Sequence, residues 1–261
     1  MTILEQPRII GGVTGSLVGV TTTVVRTADA AVLIAPVPAH PRTGEHRLHV
    51  RLARELARVG VPSLRFDPAD GGDSAPSAAQ ATRYDGDLVA AATDLLALHP
   101  DAQLVVIGFG DAALPIARSL PAARTAELPL SALCFVDPRL PTVRPIEARG
   151  VWRRITGRAS PTMEALGDDS SFLHDDERAW LGLPDRLHGA SLHVAAGHDL
   201  HARELMRVLL AEDKDWRRAL RKGESFRRID GADAGYMKPE HWRALIEWIV
   251  QQITHRRRRG R

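Results

Sequence analysis

Short unbroken apolar runs, separated by stretches with helical spacing, dominate the chain. Residues 31–37 (AVLIAPV) form a continuous apolar run of the kind found in strands buried on both faces. VPSLRFDP reads as a strand stopping at Asp67 and Pro68, and LSALCFVDP and residues 191–196 (SLHVAA) read as further sheet strands. Residues 103–113 (QLVVIGFGDAA) run from an apolar strand through glycine straight into an alanine-rich segment, a strand, a tight turn and a helix. Between these runs the period changes. Leu48, Leu52, Ala53 and Leu56 recur at helical spacing, with Gly60 placed as a C-terminal cap. Leu88, Ala91, Ala92, Leu95 and Leu96 mark a second helix, and residues 112–120 a third. Ala202, Leu205, Met206, Leu209 and Leu210 mark a fourth, and Trp242, Leu245, Ile246, Ile249 and Ile253 form the stripe of the final one. The glycine-rich, β-branched stretch 8–25 predicts an edge hairpin, and SFRRIDGAD a last, polar strand. The alternation predicts an α/β fold with a mostly parallel, doubly wound sheet.

The rhythm breaks once. Residues 142–189 are polar and lack a clear strand, which predicts an inserted cap or lid with short helices within one domain spanning 1–261. At 261 residues and 44% hydrophobic the chain buries an ample core without metal or disulfide, so no cofactor is called for. Its single cysteine, Cys134, lies inside an apolar run and reads as a buried small hydrophobe, consistent with a cytoplasmic location. The net charge of +3 becomes −2 once the five arginines of the basic tail, 255–261, are removed. Without a basic stripe interleaved with aromatics, the body does not suit a dedicated nucleic-acid reader. No apolar run approaches the roughly 18 residues of a membrane span.

In a doubly wound sheet, ligands gather at the carboxyl ends of the strands. Those ends are residues 38–40, Asp67, Gly110, Asp137, Asp199 and Asp233. The turn at Gly110 has the strand–turn–helix context of a nucleophile elbow, G-x-S-x-G, in which the third residue attacks. Several further segments follow in order: RTGEHRLHVRLARELARVGVPSLRFDPADGGDS, YDGDLVAAATDLL, GFGDAA, VWRRITGRAS, AGHDLHARE and GAD before the last helix. Together they resemble the exosortase A system-associated hydrolases, a serine aminopeptidase-like branch of the α/β-hydrolases. The resemblance implies an α/β-hydrolase fold with an antiparallel N-terminal edge. It also implies a nucleophile at Gly110, an acid at Asp199 and a histidine at Ala234.

Only the acid is present. Glycine has no side chain to attack a carbonyl, and alanine supplies no base. The segment expected to help form an oxyanion hole is PVPAHPR, whose prolines carry no N–H, leaving Val37, Ala39 and His40 as candidate backbone donors. Asp111 is a candidate polar group of the pocket or a helix cap. The expectation is therefore a degenerate hydrolase that binds an unknown small molecule or protein partner, with the exosortase or exopolysaccharide link implied by the resemblance alone. The alternative is an active ester or thioester hydrolase with a relocated nucleophile or base, drawn from Ser74, His40 and Asp199. Ser74 reads as structural, His46 as a residue fixing its loop, and Tyr236 as a phenol near the missing histidine. His193, His198 and His201 lack metal-site spacing.

Overall fold

The computed structural model describes residues 2–13, 15–24, 28–38, 40–76, 83–121, 128–139, 179–187, 190–197, 206–207, 209–210, 213–220, 225–233 and 235–259. One sheet runs through them, with strands β1 (Leu4–Gly11), β2 (Ser16–Thr23), β3 (Ala30–Ala35), β4 (Ser63–Phe66), β5 (Gln103–Phe109), β6 (Leu130–Val136), β7 (Ser191–Ala196) and β8 (Phe226–Arg228). Their spatial order is β1-β2-β4-β3-β5-β6-β7-β8. β1 and β2 pair antiparallel with each other, β2 pairs antiparallel with β4, and every other neighbouring pair is parallel.

The described helices are α1 (Leu48–Arg58), α2 (Arg83–Leu98), α3 (Ala113–Ser119), α4 (Leu183–Arg186), α5 (Lys214–Leu220) and α6 (Pro239–Arg259). The chain moves one way along the sheet from β3 to β4, then crosses back past β3 to β5. Right-handed crossovers in opposite directions place α1 and α2 on opposite faces. The strand alternation matches. Val32 and Ile34 pack in a core with Leu52 and Leu56 of α1 and Leu245 and Ile249 of α6. Ala31, Leu33 and Ala35 pack in another with Leu88, Ala92 and Leu95 of α2. Strands covered on both faces need apolar residues at every position, which is why the unbroken runs are the central strands.

The predicted helices α1, α2, α3 and α6 form, and α1 closes as expected, with the N–H groups of Gly60 and Val61 donating to Ala57 and Leu56. Of the expected helix over 202–210, residues 206–207 and 209–210 are described and helical, with Met206 and Leu209 buried. Two elements depart from the sequence pattern. β1 begins at Leu4, ahead of the predicted hairpin; its first four residues are exposed edge positions with no apolar alternation to mark them. α5 carries only two fully buried positions, Trp216 and Leu220, in an otherwise charged sequence.

Residues 140–178, most of the expected cap, lie outside the described residues. Residues 179–187 pack against the sheet through Trp180, Leu183 and Leu187: Trp180 is fully buried, its ring 5.1 Å from Phe135 and 4.9 Å from Trp216. The antiparallel edge is tied to α1 and β4 through Glu5, which accepts from Arg54 at 2.7 Å and Arg65 at 2.8 Å. The two guanidinium groups hold the Glu5 carboxyl below its ordinary range, Arg54 more strongly than Arg65.

Candidate functional site

β5 leaves the sheet at Phe109 and passes through Gly110 at φ +51 into a 3-10 turn, Gly110–Ala112, that continues as α3. The turn is tight because α3 lies close to its strand: a Cβ on Gly108 would stand 2.3 Å from Ile116 Cδ1. Gly110 has room. Among the described residues a Cβ there would meet only Val37 Cγ2, at 3.4 Å, an ordinary contact. Above it opens a cavity of about 140 Å³ at the carboxyl ends of β3, β5 and β6, where the strand order reverses.

Of the residues picked out from the sequence, Val37, His40, Gly110 and Asp111 line this cavity together. Ala39, Asp199 and Ala234 lie outside the described residues. Two roles need correction. The His40 N–H is not available as an oxyanion donor, because it donates to the Val37 carbonyl at 2.9 Å and closes a turn. Asp111 is not the cap of α3; Ala112 holds that position, and Asp111 stands exposed at the cavity.

Glu45, His49, Asp137, Arg139 and Tyr236 complete the polar lining. Asp137 was visible as a strand end, and Tyr236 by its nearness to position 234. Glu45 and His49 gave no signal, since they sit at the entry of a helix whose spacing reports only its core face. Asp137 is buried and accepts from the Gly197 N–H at 2.6 Å, tying β6 to the end of β7. His49 is 4% exposed, with its ring 4.4 Å from Phe109 and its Nδ1 without a partner among the described residues. Burial lowers its pKa to about 3, with a hydrogen bond to the Arg42 backbone working the other way, so the ring is neutral at pH 7.

Strained backbone is concentrated here. Gly44, Gly110, Asp137 and Tyr236 all line the cavity and have φ of +65, +51, +45 and +51. His46 and Arg47, in the loop that brings Glu45 to the cavity, add φ of +48 and +59. For a residue with a Cβ this region costs roughly 1–2 kcal/mol, and such outliers cluster at functional sites.

Ser74 stands apart. Its hydroxyl donates to the Asp67 carbonyl at 2.7 Å and accepts from the Val18 N–H at 2.8 Å, and it is not part of the cavity lining. Among the described residues no group of three or more His, Cys, Asp or Glu is placed to hold a metal ion, and no helix is long and apolar enough to cross a membrane. Cys134 is buried on the α1 face of the sheet, and burial pushes its thiol up to about 12.

A mostly parallel eight-stranded sheet with an antiparallel N-terminal edge, flanked by helices and carrying a strand–glycine–helix turn under a cavity, is the α/β-hydrolase fold. The solved structures it resembles carry that fold. One is an α/β serine hydrolase homologue from Coxiella burnetii, 15% identical with a TM-score of 0.62 over 95% of this chain and 96% of that one. Another is a dienelactone hydrolase from Anabaena variabilis, 14% identical, TM-score 0.59, over 98% and 99%. A third is a lidless α/β serine hydrolase from Xanthomonas campestris, 15% identical, TM-score 0.59, over 97% and 94%. No family model and no curated protein sequence matches the chain.

Proposed function

We propose that this chain is an α/β-hydrolase-fold protein that has given up ordinary hydrolase chemistry and works by binding a ligand in the cavity above Gly110. The observation that carries the reading is Gly110 itself: an elbow backbone at φ +51, a place for a nucleophile's side chain that the described residues leave open, and no side chain there. The strained residues around it support a retained pocket, because a site with no remaining use has no reason to keep Tyr236 at φ +51. In this reading Asp199 keeps the acid position and Ala234 occupies that of the histidine. Residues 140–178 belong to the cap, and the exosortase-linked setting follows the resemblance in the sequence. The relocated-nucleophile alternative finds no support at Ser74, whose hydroxyl is committed in both directions.

The test is an ester and thioester panel with a fluorophosphonate probe. The natural chain gives neither turnover nor labelling. Installing Gly110→Ser with Ala234→His restores labelling at position 110, and some esterase activity, above the Gly110→Ser single variant. Turnover by the natural chain that Ser74→Ala or His40→Ala abolishes would sink the proposal, as would complete silence from the folded double variant.

A further inference from the structure

A separate site lies on the outer surface where α1 meets α6. Arg51 of α1 and Arg243 of α6 both place their guanidinium carbons over the ring of Trp242, at 4.7 Å and 5.1 Å from its centroid. The two cations are therefore within about 10 Å of each other, inside a Debye length at physiological salt. Neither guanidinium has a carboxylate within ion-pair distance among the described residues. Further along α1, Arg54 holds Glu5 and Arg58 holds Glu55. Glu55, one turn from Arg51, is thus already engaged, and Glu240 and Glu247, one turn either side of Arg243, make no ion pair.

Arg51 and Trp242 are half-buried, so the ring and one guanidinium are already positioned and lose little freedom when a ligand arrives. A planar guanidinium fork matches phosphate oxygens two at a time, which an ammonium does not.

We propose that Arg51, Trp242 and Arg243 form a binding site for a phosphate group carried as a phosphomonoester or diphosphate. Because the cavity plays no part in the argument, this site stands or falls independently of the function proposed above.

Titration of the full chain with inorganic diphosphate at low ionic strength, followed by calorimetry, tests it. Binding is expected, and Arg51→Gln with Arg243→Gln weakens it by about tenfold or more. Arg217→Gln with Arg227→Gln, removing the same charge from α5 and β8, leaves it within about twofold. A parallel arm uses phosphatidylcholine vesicles with and without phosphatidic acid. If only the vesicles bind, and the Arg51/Arg243 variant releases them, the phosphate is a lipid headgroup; if diphosphate binds, it is a soluble ligand. Binding that is unchanged in the Arg51/Arg243 variant belongs to the 255–261 tail and overturns the proposal, as does no binding in either arm.

Discussion

Just beyond the carboxyl ends of β4 and β5 the backbone does the same thing, passing through a left-handed glycine, Gly72 at φ +52 and Gly110 at φ +51, in opposite surroundings. A Cβ on Gly72 would lie 2.3 Å from the Asp67 carboxylate. That carboxylate is fully buried and accepts from the N–H of Arg42 at 2.5 Å, the N–H of Asp73 at 2.9 Å, and the Arg42 guanidinium. Ser74 adds its hydroxyl to the Asp67 carbonyl, and the loop closes as a knot with no space in it. At Gly110 a Cβ would meet one methyl group at contact distance. One glycine is required by packing and the other only by backbone angle. The chain has kept the tight corner of the fold and left open the corner where the fold's chemistry is usually placed.

The largest test of that contrast is Gly72→Ala. Its methyl overlaps a buried carboxylate in a backbone region unfavourable to alanine, and a loss of about 4 kcal/mol in urea unfolding is expected. A loss under ~1 kcal/mol would show the knot to be loose. Next is Asp67→Asn, which keeps the shape but deprives Arg42 of its buried partner and turns an acceptor into a donor. About 3 kcal/mol is expected, less whatever Arg42 recovers from Asp73 at 2.9 Å.

The open side is probed by acid. His49, packed on Phe109, has its pKa lowered from 6.5 to about 3 by burial, so below pH 6.5 the unfolded chain takes up a proton that the folded one refuses. Its contribution is fully present above pH 6.5 and is lost as pH falls toward 3. His49→Gln should flatten the decline in stability across that window relative to the natural chain. Parallel pH profiles would show that the ring is not sealed. The smallest effect belongs to Gly110→Ala, about 1 kcal/mol from backbone strain alone. A cost as large as that of Gly72→Ala would erase the distinction between the two corners.

The core was legible because it obeys simple periods. β3, β5 and β6 are covered on both faces and read as continuous apolar runs, and α1 and α6 show their buried stripes directly. The Asp67 knot was not legible. It joins Arg42 to an aspartate 25 residues away, and only the fold brings the two together. α5 escaped because a helix anchored by Trp216 and Leu220 carries too few apolar positions to set a period. At the cavity, Gly110 and Asp111 could be found from the strand end before them, while Glu45 and His49 could not. They depend on the left-handed turn at His46 and Arg47; arginine does not announce positive φ, and the enrichment of histidine there is too small to place a turn.

The aromatic rings have an optical consequence. The chain has five tryptophans. Trp180 and Trp216 are stacked at 4.9 Å with 29° between their planes, both fully buried on the α2 face. Trp242 and Trp248 pack with the α1 face, Trp242 half-buried under two guanidinium groups. Two indoles that close couple their transitions and contribute a near-ultraviolet circular dichroism signal of their own. That signal follows the packing of one side of the sheet, while the emission of Trp242, which is open to quenchers, follows the other. The natural fluorophores thus allow the two layers to be watched separately during unfolding, without labels.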